Sequence, residues 1–235
     1  MVIFSKIMSF FISIVMAILN IFGLGGEKRP EFVLGENVNS NVAQVLEVYN
    51  NAVIKTDEAA PLVTTTMSLE DMVMDGMSGS TVVMLKPIIN DMLAEESYED
   101  CDIPGEGELK AEDVVSAKMS TEEGLTTVII EVKDQTNDAY GNSKDGEPVS
   151  RAMGTAGDIA QYIEETGLFS GIENIEITYS DCKLSCIIDD ATGEILYGEW
   201  YYNMTMDMEG FGVDTGESTP VVVDSSVTIG LKSVL

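Results

Sequence analysis

The chain of 235 residues contains no histidine. That absence removes the commonest general base at neutral pH and the commonest transition-metal ligand. A Ser-His-Asp or Cys-His catalytic arrangement is impossible, and mixed His/Cys zinc sites are excluded. Cations are scarce too: 12 Lys and Arg stand against 41 Asp and Glu, a formal net charge of −29. Nucleic acid and anionic lipid surfaces both need clustered Lys and Arg, so neither partner is served. The acidity reads as solubility outside the cell. One tryptophan, Trp200, is too few aromatics for the sugar cleft of a paired-carboxylate glycosidase. "TAGDIAQ" lacks the Gly-Lys-Ser/Thr core of a phosphate loop, and "GLGGEKRP" has glycines without a preceding βαβ unit.

Long apolar runs are absent after the first segment, "MVIFSKIMSFFISIVMAILNIFGLGG". From Ile7 to Leu24 no side chain is charged. As a helix these residues span about 27 Å at roughly 1.5 Å per residue, enough to cross a bilayer core of about 30 Å. Residues 1–26 therefore read as a signal peptide or a retained membrane anchor. Gly23 and Gly25 offer a weak small-x-small cleavage pattern. Lys28 and Arg29 lie on the far side of the run, where positive-inside logic places them poorly for an anchor. Residues 27–38 read as a linker and 39–235 as a single domain.

Within that domain, Val42, Val45, Leu46, Tyr49 and Val53 recur at helical steps, capped by Ser40 and ending near Lys55. Val63, Thr65, Met67 and Leu69 alternate as a strand. A helix over 80–93 should kink or restart at Pro87. Residues 95–108 read as an acidic loop and 113–120 and 125–133 as strands. Residues 134–150 read as a polar loop. Thr155 and Asp158 suit a capping box for a helix carrying Ile159, Tyr162 and Ile163. The remainder is strand: 172–188, a turn with Gly193 available for positive φ, 194–209, and a last run carrying Val221, Val223, Val227, Ile229 and Leu231. The expected fold class is α+β, a largely antiparallel curved sheet of six or more strands with two or three helices on one face, preceded by the N-terminal apolar helix.

Two of the three cysteines lie in "YSDCKLSCIIDD". Ile175, Ile177 and Tyr179 set an odd-numbered apolar phase; Cys182, Leu184, Cys186 and Ile188 continue on even numbers. The change demands a bulge near Ser180-Asp181. Cys182 and Cys186 then face one way, about 13 Å apart along a strand, too far to bond each other. They read as buried thiols packed as small hydrophobes, with a bridge from Cys101 to one of them as the alternative and a metal site behind both. Glu95, Glu96, Glu99, Asp100 and Asp102 form an acidic cluster without EF-hand spacing. Asp189-Asp190 fits a turn.

Methionine is in excess: eleven of 14 lie beyond the leader. Met204, Met206 and Met208 share a strand face with Trp200 and Tyr202. Thioethers fill irregular core gaps and also suit adaptable apolar sites. These five are the candidate ligand-binding residues; no catalytic residue, metal or cofactor is expected.

"VLEVYNNAVIKTDEAAP" after an exported leader, with "YSDCKLSCIIDDATGEI" near the end, resembles a group of uncharacterised exported proteins of clostridial Gram-positive bacteria. The likeness rests on Tyr49-Asn50-Asn51-Ala52-Val53 and the Cys182/Cys186 hairpin. It implies location and architecture and carries no catalytic residue. The pattern is more loosely similar to half-barrel lipid carriers of the LolA and LppX kind, although no Cys follows the leader as in the lipoproteins among them. The expectation is an exported, non-catalytic envelope protein, extracellular or anchored to the outer face of the cytoplasmic membrane through an uncleaved leader. Its ligand would be hydrophobic or amphipathic, a lipid being one such. The alternative is a structural or protein-interaction module of the surface, with envelope proteins as partners.

Overall fold

The computed structural model describes residues 31–75, 78–94, 98–100, 102–105, 107–138, 147–155, 169–170, 174–213 and 221–235. The N-terminal apolar segment, the helix expected beyond Thr155, Cys101, and Glu95 and Glu96 of the acidic loop lie outside these residues.

Residues 31–39 of the expected linker and its junction form a strap. Gly35 N–H donates to Ser120 Oγ (2.9 Å) and Glu36 N–H to Glu122 Oε1 (3.2 Å), while Asn39 makes an antiparallel bridge to Met119. That bridge delays the next helix by one position. Helix α1 (Val42–Asp57) is capped by Asn41, whose side chain accepts from Gln44 N–H, and not by Ser40. Its apolar stripe Val45, Leu46, Tyr49 and Ala52 is buried.

Strand β1 (Val63–Met74) is followed by helix α2 (Gly79–Ala94), which runs through Pro87 without a break. Pro87 and Val83 are both exposed, so the Val83 carbonyl that proline leaves unbonded faces water. Helix α2 also closes an edge: Asn90 accepts from Leu69 N–H (2.6 Å) and donates to Leu69 C=O (3.5 Å), as a neighbouring strand would. The expected acidic loop contains a short strand, β2 (Tyr98–Asp100), paired with β1. Strands β3 (Val114–Glu122) and β4 (Leu125–Val132) are joined by Glu123-Gly124, both at positive φ, the signature of a two-residue type I′ turn.

Residues 134–150 depart from the polar-loop expectation. They hold strand β5 (Gln135–Asp138) and the start of helix α3 (Pro148–Met153). After β6 (Phe169–Ser170) come three long strands, β7 (Asn174–Asp189), β8 (Ile195–Val213) and β9 (Val221–Val234). Every pairing is antiparallel. The sheet order is β2-β1-β9-β8-β7-β4-β3, with β5 added to β7 and β6 to β8. One core joins the inner face of this sheet to α1, α2 and α3. The opposite face carries a polar row: Thr136, Thr178, Thr205 and Thr228 stand in register on β5, β7, β8 and β9. Their hydroxyls pair at 3.2 Å (Thr136–Thr178) and 2.9 Å (Thr205–Thr228). No helix among the described residues is long and apolar enough to cross a membrane.

Candidate functional site

The five residues singled out by sequence form one continuous inner row. Trp200, Tyr202, Met204, Met206 and Met208 are each between 0% and 4% exposed, while Tyr201, Asn203, Thr205 and Asp207 point outward. Cross-strand partners close over them laterally. Leu184, Tyr179 and Ile177 of β7 face Trp200, Met204 and Met206; Leu231, Ile229 and Val227 of β9 face Tyr202, Met204 and Met206. The Tyr179 ring meets Tyr202 edge-on with centroids 5.5 Å apart.

Trp200 is fixed from two directions. Gly198 lies two residues earlier on the same face, and a methyl group there would occupy the space of the indole ring. The indole N–H donates to the Tyr49 hydroxyl of α1 at 2.9 Å, with both side chains buried. Desolvation pushes the Tyr49 phenol above its ordinary pKa, against the opposing effect of the bond from Trp200. Nearby, Thr56 Oγ1 donates to Ala52 C=O and accepts from Ile195 N–H, tying the last turn of α1 to the start of β8.

The cysteine strand takes the anticipated form. The β7–β8 register shifts between Ser180 and Lys183, and Asp181 sits at φ 54°, a left-handed conformation that Asp adopts more readily than most residues. On either side the apolar residues face inward. Cys182 and Cys186 are free and buried. Burial first, then the negative charges of Asp134 and Asp181, pushes the Cys182 thiol up to about 12; burial pushes Cys186 up as well. Both are protonated at neutral pH and poor nucleophiles.

Sequence reasoning missed two buried polar assemblies. Gln135 Oε1 accepts from Val149 N–H (2.9 Å) and Ser150 N–H (3.2 Å), while its Nε2 donates to Asn137 and Ser150 hydroxyl oxygen (3.0 Å each). The side chain thereby holds the first turn of α3. An alternating Gln-x-Asn ahead of Pro148 was the available signal, hidden because inward positions on β5 are polar. Asp113, nearly buried, grips Arg151 through two hydrogen bonds of 2.9 and 2.6 Å and also accepts from Lys110 N–H. Asp189 and Asp190 behave as turn residues: Asp189 accepts from Ala191 N–H and Asp190 from the Thr126 hydroxyl.

Cavities open on the outer face and at one end of the sheet. One, of about 380 Å³, lies between the strap residues Glu31 and Phe32 and the outer face at Lys183, Glu199 and Tyr201. The other, of about 510 Å³, lies at the end of β1 and the start of β7, beside Asp207–Glu209 of β8 and Asp224–Ser226 of β9. Of the five candidate residues only Met208 borders either. Among the described residues no three Asp, Glu or Cys side chains converge to hold a metal ion. No family model, curated protein or solved structure matches the chain.

Proposed function

We propose that the chain is an exported, non-catalytic module of the cell envelope that works through its surface, as a structural or protein-interaction element. Residues 1–26 serve as signal or anchor and deliver residues 39–235 to the outer face of the cytoplasmic membrane or beyond. One observation carries the choice of surface over interior: the row from Trp200 to Met208 is fully buried, and the Tyr49–Trp200 hydrogen bond latches helix to sheet above it. The absence of histidine and the neutral state of Cys182 and Cys186 support a non-catalytic role. Cross-linking in the native envelope followed by capture should recover a defined protein neighbour that tolerates Met204→Leu and Met206→Leu. Loss of that neighbour on these interior changes, with the fold intact, would count against the proposal.

A second reading keeps a hydrophobic or amphipathic ligand, such as a lipid, between the sheet and its helices. The methionine row favours it, since thioethers repack at low cost around a guest. Native mass spectrometry of protein from its own host, with displacement of a fluorescent fatty acid, separates the two. Bound lipid on most molecules would install the second reading in place of the first.

A further inference from the structure

The outer face of the sheet carries a buried hydroxyl without a bond. Ser185 of β7 stands directly between Ile129 of β4 and Glu199 of β8, and Lys183 stands beside Tyr201. These side chains share the face opposite the inward row of Cys182, Leu184 and Cys186, and all of them border the cavity of about 380 Å³ beneath the strap. Ser185 is only 7% exposed, and its hydroxyl has no hydrogen-bond partner among the described residues. Buried hydroxyls in folded proteins are nearly always paired, so this one asks for a partner within the cavity it lines. Lys183 is a second unmatched group. Its ammonium enters no ion pair among the described residues, although Glu131 stands opposite it and the chain holds 41 acids against 12 bases. Glu199 meets Lys232 through one carboxylate oxygen at 2.6 Å, which leaves the other as an acceptor.

We propose that this cavity binds a zwitterionic amino acid with an apolar side chain. The donors lie on one strand. Lys183 and Ser185 are two residues apart on β7, about 7 Å along the backbone, and a carboxylate seated between them accepts from both. The acceptors lie across from them: Glu199 opposite Ser185 on β8, and Glu31 on the strap, take the ligand's ammonium. Its apolar side chain rests between Phe32 and Ile129, both half-buried. Charge decides against simpler ligands. A net charge of −29 repels a plain carboxylate, and a plain amine leaves the Lys183 ammonium facing another cation. A zwitterion is neutral overall and matches each group in turn. The volume stands near the small end of ligand sites, which run from about 300 to 1,000 Å³, and suits an amino acid better than a lipid. The site lies across the sheet from the Trp200–Met208 row. The inference goes beyond the surface role proposed above and stands whether or not a protein neighbour is captured.

The test is calorimetric titration of the full chain with L-leucine and L-phenylalanine, and with two relatives of the latter that carry one charge, 3-phenylpropionate and phenethylamine. Wild type should bind one of the amino acids, and each relative at least tenfold more weakly. Lys183→Met should weaken amino-acid binding at least tenfold. Lys110→Met, at an exposed lysine outside the cavity, changes the net charge equally and should keep wild-type affinity. Ser185→Ala should weaken binding severalfold at constant charge without lowering the melting temperature, since the hydroxyl holds no bond within the fold. Failure of wild type to bind either amino acid overturns the proposal, as does an equal loss of affinity in the two lysine variants. Phenethylamine binding as tightly as L-phenylalanine marks bulk attraction of a cation to an acidic protein and overturns it too. Equally tight 3-phenylpropionate removes the need for an ammonium and with it the zwitterion. Unchanged affinity in Ser185→Ala, with a lowered melting temperature, makes the hydroxyl structural and overturns the assignment.

Discussion

Tyr49→Phe removes one oxygen from the core and leaves the Trp200 indole N–H facing a hydrocarbon edge. Both rings are 2–3% exposed, so bulk water does not reach the orphaned donor. A buried donor stripped of its acceptor costs about 1–3 kcal/mol. For a chain of this size each kcal/mol lowers the melting temperature by about 2–4 °C. Trp200 is the sole tryptophan, so its emission during urea unfolding reports from the site itself, with circular dichroism as a second probe. The midpoint should fall while the slope is unchanged, because the surface exposed on unfolding is the same. A second background isolates the bond. In Trp200→Phe there is no indole donor, so adding Tyr49→Phe should cost at least about 0.5 kcal/mol less than in wild type. A loss below about 0.5 kcal/mol in wild type, or an equal loss in both backgrounds, refutes the reasoning that this hydrogen bond latches helix to sheet.

Arg151→Met leaves Asp113 charged and buried without its partner and should cost about 3–5 kcal/mol in urea unfolding. Gly198→Ala forces a methyl into the Trp200 ring and should cost about 1–3 kcal/mol, with a shifted tryptophan emission maximum; unchanged emission and stability would show that the ring moves freely. Alkaline pH should unfold the protein. Tyr49, Tyr202, Cys182 and Cys186 are neutral when protonated, and burial raises all four pKa values. The folded state therefore holds their protons after the unfolded chain has released them. Their stabilising effect is complete below about pH 8.5 and drains away as pH climbs toward about 12, read as the urea midpoint against pH. At pH 8 the same two thiols should resist iodoacetamide in the native protein and react in urea, as followed by peptide mass mapping.

Where one face is apolar, the sequence pattern carried the architecture well. Alternation on β4 and on both halves of β7 located the strands, and the phase change in β7 located the bulge, because a period of two leaves no other way to keep Tyr179 and Cys182 on one side. The three- and four-residue steps of Val45, Leu46 and Tyr49 located α1, although its cap moved to Asn41 because Asn39 is held by Met119. Elements whose inward positions are polar were hidden. Strand β5 turns Gln135 and Asn137 inward, and helix α3 is only six residues long, so neither has an apolar period to detect. Strand β2 reads Tyr-Glu-Asp and exists because β1 offers it an edge. The methionine row was found as a set, since alternation alone makes Met204, Met206 and Met208 neighbours. Its fully covered state depends on α1 and β7, which arrive from distant parts of the chain. The outer-face cavity needs the register of β4, β7 and β8 to assemble and left no local trace.

The left-handed residue at Asp181 makes β7 a strand that counts its residues. Replacing a side chain there alters a turn angle. Removing one residue would rotate everything from Cys182 to Ile188 by half a pleat, delivering Lys183 and Ser185 to the oily side and both thiols to the hydroxyl side. Among descendants of this chain, the segment should drift freely in spelling and hardly at all in length.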